Sequence, residues 1–128
     1  MSRFLLILRG DAATDYSHYT PDDFQQILDE YRTWGERMTA EKRLLGGEKL
    51  ADDSGRVIHP PKVASQGSPG PIHQEAVHDG PYVESKEVVG GYYLIEADDY
   101  AHAVALCEQH PNFRFGSIEI RQIDESAG

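Results

Sequence analysis

The chain has 128 residues, which favours a single domain because soluble domains take roughly 100–200 residues. Its composition, 39% hydrophobic and 27% charged, is typical of a globular protein and argues against disorder. Acidic residues outnumber basic ones by 22 to 12, and the net charge of −10 repels a phosphate backbone. General nucleic-acid binding is therefore disfavoured.

The first predicted element is a strand from Phe4 to Leu8, an apolar run between Arg3 and Arg9. A continuous apolar run is typical of a strand buried on both faces, so each face needs a cover. The run is too short for a signal peptide or a membrane span, and no other apolar run is longer. The sequence therefore predicts a cytoplasmic protein that makes no contact with a membrane.

A helix is predicted to begin at Thr20. Thr20 can cap the helix, and Pro21 suits the first turn because its missing N–H has no helical partner. Asp22 and Asp23 then favour the positive end of the helix dipole. Apolar residues recur at helical spacing and predict an amphipathic helix from about residue 21 into the low forties. These residues are Phe24, Ile27, Leu28, Tyr31, Trp34 and Met38.

The remaining elements follow from turn residues and apolar patterns. In chain order they are a strand at 44–50, a short strand at 57–58, a Pro- and Gly-rich excursion at 59–71, a short strand at 75–78, a strand at 88–96, a helix and a last strand at 115–122. Asp98 or Asp99 can cap the helix, and Pro111 ends it. Cys107 excludes an intrachain disulfide because it is the only cysteine, and it is expected to be buried on the inner helix face.

This order of elements is the split βαβ pattern of a ferredoxin-like sandwich, an α+β fold with an antiparallel sheet and both helices on one face. Two helices cover only one face, yet the strands at 4–8 and 92–95 carry apolar residues on both sides. We expect a face-to-face homodimer to cover the bare face. The alternative is that the excursion at 59–71 folds back over it.

Several motifs in the second half of the chain form the pattern of a known family. They are Asp79-Gly80-Pro81-Tyr82, Glu84, Lys86-Glu87, Gly90-Gly91-Tyr92-Tyr93-Leu94-Ile95, His110-Pro111 and Gly116-Ser117-Ile118-Glu119-Ile120-Arg121. The pattern resembles the YCII-related family of the DGPF type, with Tyr82 where Phe is usual. The resemblance implies a dimeric α/β barrel in which two ferredoxin-like sheets pack face to face. We predict one such domain at 1–123 and a polar tail at 124–128.

The resemblance implies less about activity. A His–Asp pair has been suggested as catalytic in the broader family, and Asp79 matches the family motif. The first helix has Pro21 and the two aspartates that follow it where a family histidine is expected, so His18, just before that helix, is the substitute candidate. Proteins of this type also resemble partners of alternative sigma factors, which implies a regulatory alternative.

The Asp79-Gly80-Pro81 turn has two interpretations. In the first, Asp79 bonds nearby backbone and the turn only connects strands. In the second, the rigid turn aims the Asp79 carboxylate into a pocket close to His78 or His73, as proton transfer requires. The sequence alone leaves both open.

The last strand carries Ser117, Glu119 and Arg121 on one side, with neighbours about 7 Å apart because side chains alternate along a strand. If that side is the helix-free face, the three residues line the barrel interior and can orient an anionic or hydroxylated ligand. Arg121 would then bind a carboxylate, and Arg9 could add to the site. If the strand is an edge, the three are ordinary solvent-facing residues.

The six histidines form no diagnostic metal-ligand motif. His73 and His78, with the carboxylates Glu75 and Asp79, could hold a divalent ion only if their loop folds suitably. We therefore predict no metal and no cofactor. His110 is expected to interact, when protonated, with the negative carboxyl end of the second helix.

These observations predict a cytoplasmic homodimer that binds a small organic molecule in a pocket. If the protein is an enzyme, cofactor-free proton transfer such as isomerisation or elimination is the expected reaction class. Asp79 or a neighbouring histidine would be the acid or base, and Arg121 would position the substrate. The alternative is a non-catalytic regulatory module whose acidic surface and 59–71 excursion contact another protein.

Overall fold

The structure is a computed structural model that describes residues 1–11, 15–52, 54–60, 77–79 and 87–127, with the backbone alone at 77–79, 87 and 127. Within these residues it has six strands and two α-helices. They are β1 (Ser2–Asp11), α1 (Pro21–Ala40), β2 (Leu44–Lys49), β3 (Arg56–Ile58), β4 (Val77–Asp79), β5 (Glu87–Ala97), α2 (Tyr100–Cys107) and β6 (Gly116–Gln122). A 3₁₀ turn at Pro111–Arg114 precedes β6, and a second one at Glu125–Ala127 follows it.

Four of the strands form one antiparallel sheet in the order β2-β5-β1-β6. Strands β3 and β4 pair with each other in a separate two-stranded sheet. The two helices and the four-stranded antiparallel sheet confirm the predicted α+β class and are consistent with the ferredoxin-like pattern. Most of the 59–71 excursion lies outside the described residues. The alternative that it folds back over the sheet therefore stays untested.

Strand β1 separates the two faces of the sheet, because successive side chains of a strand point to opposite sides. Phe4 and Leu6 are fully buried and Leu8 is nearly so. Leu5 and Ile7, on the other side, are half-buried. The first group faces the helices, and we call the opposite side of the sheet the helix-free face.

The hydrophobic core lies between the sheet and the two helices. Its buried members come from both layers: Phe4, Leu6, Trp34, Met38, Ile95, Ala97, Ala103 and Cys107. Cys107 confirms the prediction of a buried cysteine, and burial raises the pKa of its thiol to about 11. The thiol is therefore protonated at neutral pH, which makes it a poor nucleophile.

Side chains cap both helices at their first residues. The Thr20 hydroxyl accepts a hydrogen bond from the Asp23 N–H, and the Asp23 carboxylate accepts one from the Thr20 N–H, which makes a capping box. This confirms the predicted start of α1. At α2 the cap is Asp99, whose carboxylate accepts from the His102 N–H.

The predicted apolar stripe of α1 is buried only in part. Ile27, Trp34 and Met38 are buried, whereas Phe24 is 43% exposed and Leu28 is 57% exposed. Phe24 packs instead against Tyr16 and Tyr19 in the turn before the helix. The N-terminal half of α1 therefore contributes fewer side chains to the core than the periodicity predicts. Neither helix of the described chain is long and apolar enough to cross a membrane.

Removing the α1 cap should lower stability. We expect Thr20→Ala to reduce the free energy of unfolding by about 1 kcal/mol, because the Asp23 N–H loses its acceptor. Thermal and urea denaturation would measure the change. The control is Thr33→Ala in the same helix, where an exposed hydroxyl only donates to the Asp29 carbonyl and alanine is the better helix former. Equal losses in the two variants would contradict the capping role.

Candidate functional site

The helix-free face carries an apolar strip along β1 and β5. The strand register places Leu5 opposite Leu94, Ile7 opposite Tyr92 and Arg9 opposite Val89. The strip consists of Leu5, Ile7, Val89, Tyr92 and Leu94. In the described chain neither helix packs on this side, and Tyr92 is 37% exposed. These side chains form an apolar surface that the helices leave uncovered.

A polar group lies beside this strip on β6. Ser117, Glu119 and Arg121 stand opposite Arg9, Ile7 and Leu5 respectively, so all three belong to the helix-free face. Strand β6 is also an edge of the sheet. The sequence left a place on the helix-free face and a place on an edge strand as alternatives. The three residues have both. Ser117 and Glu119 are half-buried, and Arg121 is exposed.

Two arginines share the Glu119 carboxylate. Arg9 Nη2 lies 2.7 Å from Glu119 Oε1, and Arg9 Nε lies 3.2 Å from the same oxygen. Arg121 Nη1 lies 3.4 Å from Glu119 Oε2. Hydrogen bonds from Arg9 and then from Arg121 hold the pKa of Glu119 below its ordinary value. The three side chains together carry one net positive charge on a chain whose total is −10, which suits an anionic ligand.

The predicted acid–base residues are described only in part. Asp79 and His78 lie on β4, where their backbones pair with Arg56 and Val57. Their side chains lie outside the described residues, and so does all of His73. Whether they meet the arginines stays a prediction.

His18 is exposed in the turn before α1, with its ring centroid 4.8 Å from that of Tyr19. It lines a cavity of about 260 Å³ with Tyr19, Asp23, Gln26, Ile27 and Arg114. None of the four predicted ligand-binding residues on β1 and β6 lines this cavity. A role of His18 beside the Arg9–Glu119 pair therefore stays a prediction.

A buried histidine on the helix side of the sheet was not predicted. His110 is 3% exposed, and its ring packs edge-on against Trp34 and Tyr31 at centroid distances of 4.8 and 5.0 Å. Its Nδ1 accepts from the Asn112 N–H, so the neutral ring carries its proton on Nε2. That nitrogen lies 3.3 Å from the hydroxyl of Tyr93, whose pKa burial raises to about 12.

The interaction expected of a protonated His110 with the carboxyl end of α2 does not apply at neutral pH. Burial lowers its pKa to about 4, so the ring is neutral at pH 7 and cannot act as a cation at the end of α2. It instead caps the 3₁₀ turn through Nδ1. The signal in the sequence was the proline that follows it, since a polar residue directly before a helical-turn proline is a common cap.

No group of three or more histidine, cysteine, aspartate or glutamate side chains is arranged to hold a metal ion in the part of the chain that the structure describes. The His73 and His78 side chains, which the sequence analysis considered as metal ligands, lie outside that part. The described residues that gather at one place are Arg9, Ser117, Glu119 and Arg121. What they can do is bind and orient a ligand with an anionic or hydroxyl group.

The sheet order and the position of the helices define an α+β protein whose sheet has one partly charged face that neither described helix covers. The YCII-related domain model matches residues 4–126, and the chain belongs to this family, as its motifs predicted. Among solved structures, it is similar to 5-chloro-2-hydroxyhydroquinone dehydrochlorinase from Burkholderia phenoliruptrix AC1100 in complex with 2,5-dihydroxybenzoquinone. That likeness has 13% identity and a TM-score of 0.45, and it covers 95% of this chain and 93% of that one. A search of curated proteins finds no match.

Buried His110 should make stability depend on pH. Its pKa is about 4 when folded, against 6.5 for an unperturbed histidine. Between these values the unfolded chain binds a proton that the folded chain does not. The contribution of the buried, neutral His110 to the free energy of unfolding is therefore fully present above pH 6.5. It falls as the pH drops toward 4, by up to about 3 kcal/mol.

The variant His110→Asn keeps an acceptor at the cap and removes the titrating ring. We expect urea denaturation at pH 7, 5.5 and 4.5 to show a smaller loss of unfolding free energy in this variant than in the wild type. Carboxylates contribute to the pH dependence of both proteins, so the difference isolates the histidine. Parallel pH profiles would contradict a neutral, buried His110.

Proposed function

We propose that this protein is a homodimer that binds a small organic anion at the helix-free face. The observation that carries the proposal is the Arg9–Glu119–Arg121 group beside an apolar strip on the sheet face that neither described helix covers. The apolar strip would face a second copy of the chain, and the charged group would face the ligand. The dimer would then have the barrel form that the family resemblance implies.

The apolar strip supports the dimer. Burial of apolar surface contributes about 25 cal/mol per Å², so a strip of a few hundred Å² gives several kcal/mol toward association. A twofold axis lets the same face cover itself, because an isologous interface is complementary to its own copy. Leu5, Ile7 and Leu94 are central candidates, since they are apolar, only half-buried, and lie on adjacent strands.

The charged group supports an anionic ligand. The side chain of Arg121 is 69% exposed and holds Glu119 by one bond of 3.4 Å, so it can turn toward a carboxylate at little cost. Arg9 holds the other side of Glu119 and keeps that carboxylate ionised. Glu119 can then accept a hydrogen bond from a ligand hydroxyl.

The reaction class that fits such a ligand is cofactor-free proton transfer, such as isomerisation or elimination, in the cytoplasm. Asp79, which matches the family motif, and His78 are the proposed acid and base, with His18 as a third candidate. Arg121 and Arg9 would orient the substrate, with Ser117 and Glu119 contacting its hydroxyl groups.

Placing a charge in the apolar strip should separate the dimer. We expect the wild type to sediment as a dimer at micromolar concentration and Leu94→Glu to sediment as a monomer, because two buried carboxylates would face each other near the axis. The control is Val104→Glu, which adds the same charge at an exposed position of α2. A monomeric wild type, or a dimeric and folded Leu94→Glu variant, would reject this interface.

Removing Arg121 should weaken ligand binding. In a thermal-shift screen with benzoate, salicylate and succinate, we expect at least one carboxylate to raise the melting temperature, and Arg121→Ala to bind it about tenfold more weakly. Arg32→Ala is the control, since it removes an exposed arginine from α1. EDTA should leave the shift unchanged. Equal shifts in Arg121→Ala would reject the anion site, and a protein partner found without any ligand would favour the regulatory alternative.

A further inference from the structure

The side-chain amide of Asn112 touches both strands that carry the proposed ligand site, from the opposite side of the sheet. Asn112 is 7% exposed. Its Nδ2 donates to the Ser117 carbonyl at 2.8 Å and to the Arg9 carbonyl at 3.2 Å. Its Oδ1 accepts from the Tyr31 hydroxyl at 3.5 Å. One buried amide thus links β1 to β6 at the residues whose side chains face the ligand.

This link stands where the sheet is irregular. The register of β1 against β5 shifts between Leu8 and Arg9, because Gly91 is opposite Leu8 and Val89 is opposite Arg9. Gly90 is the extra residue of this bulge, and a bulge disrupts the local ladder and changes the direction of a strand. On its other side Arg9 pairs with Ser117 at the start of an edge strand. The Asn112 amide therefore holds the Arg9 backbone by a hydrogen bond that is separate from the backbone bonds between the strands.

Gly116, on the neighbouring strand β6, lies in close contact with the same Arg9 carbonyl. A Cβ at Gly116 would overlap the Arg9 carbonyl oxygen and lie 2.8 Å from the carbonyl carbon. Gly10, its cross-strand partner, has open space at the same position, with nothing within 4 Å. The close approach thus requires glycine at 116 and not at 10, so a side chain at 116 would displace the Arg9 peptide group, whereas one at 10 would not.

We propose that Asn112 and Gly116 are positioning residues that fix the Arg9 backbone and so set the geometry of the Arg9–Glu119 pair. A peptide plane held by its carbonyl fixes the direction of the side chain that precedes it along the chain. A displacement of about 1 Å would break a 2.7 Å charge-assisted bond. The consequence for ligand affinity rests on the proposed function; the consequence for the ion pair does not.

The buried histidine supports Asn112 in this role. The Asn112 N–H donates to His110 Nδ1, and the Phe115 N–H donates to the Asn112 carbonyl. With the Nδ2 and Oδ1 bonds, every polar group of Asn112 is bonded. A fully bonded buried side chain has little freedom to turn, so the amide holds the two carbonyls in place.

The test is the pKa of Glu119, measured by ¹³C NMR titration of its carboxyl group in the full-length protein. The wild type should titrate below an ordinary glutamate because Arg9 and Arg121 face it. In Gly116→Ala and in Asn112→Ala, we expect this pKa to rise toward that of an ordinary glutamate as Arg9 moves away. Gly10→Ala, the matched control, should leave the pKa at the wild-type value.

A second control separates positioning from loss of stability. Cys107→Ala opens space in the same buried layer and should lower the melting temperature without changing the Glu119 pKa. An unchanged pKa in both Gly116→Ala and Asn112→Ala, or an equal rise in Cys107→Ala, overturns the inference. If Asn112→Ala does not fold, Gly116→Ala decides alone.

The measurement needs no ligand, so it also separates the two proposals. A raised pKa in Gly116→Ala supports the positioning role even when no carboxylate binds the wild type, a result that would reject the proposed function alone. Where a carboxylate does bind, Gly116→Ala should weaken it about tenfold, and Gly10→Ala should not.

Discussion

Strand β1 contributes to two surfaces at once, and the rest of the molecule is arranged around that constraint. Because its side chains alternate, Phe4, Leu6 and Leu8 complete the core while Leu5, Ile7 and Arg9 form the opposite face. The described part of the chain has two α-helices, and both pack on the core side. The open face is therefore the surface on which both an association and a ligand site are proposed.

The helix side also supplies polar support to the open face. Burying an imidazole and an amide costs stability unless their hydrogen bonds are formed. Here His110 and Asn112 satisfy each other and the strand carbonyls, and no buried side-chain nitrogen or oxygen among the described residues lacks a partner. The cost of burial is thus offset, and the same bonds hold the strand that carries Arg9.

Local patterns in the sequence predicted the elements and the shared face of the β6 residues. Thr20 and Pro21 marked the start of α1, and alternation placed Ser117, Glu119 and Arg121 on one side. The contact of Arg9 with Glu119 could not be predicted, because it depends on the pairing register of strands 110 residues apart. Asn112 was missed for the same reason, since its partners lie on two strands. Periodicity also overestimated how many side chains of α1 are buried in the core. A periodic pattern cannot show where the sheet ends beneath the helix.

The β3–β4 hairpin lies between β2 and β5 in the chain, and its described residues pair with neither strand. Its length can therefore change without altering the register of the four-stranded sheet, because a longer loop costs little additional entropy. Asp79 lies on this hairpin, whereas Arg9 and Arg121 lie on the sheet. The segment that bears the motif aspartate can thus change while the arginines stay in register, so the proposed acid–base group and the proposed ligand-binding group can vary independently among relatives.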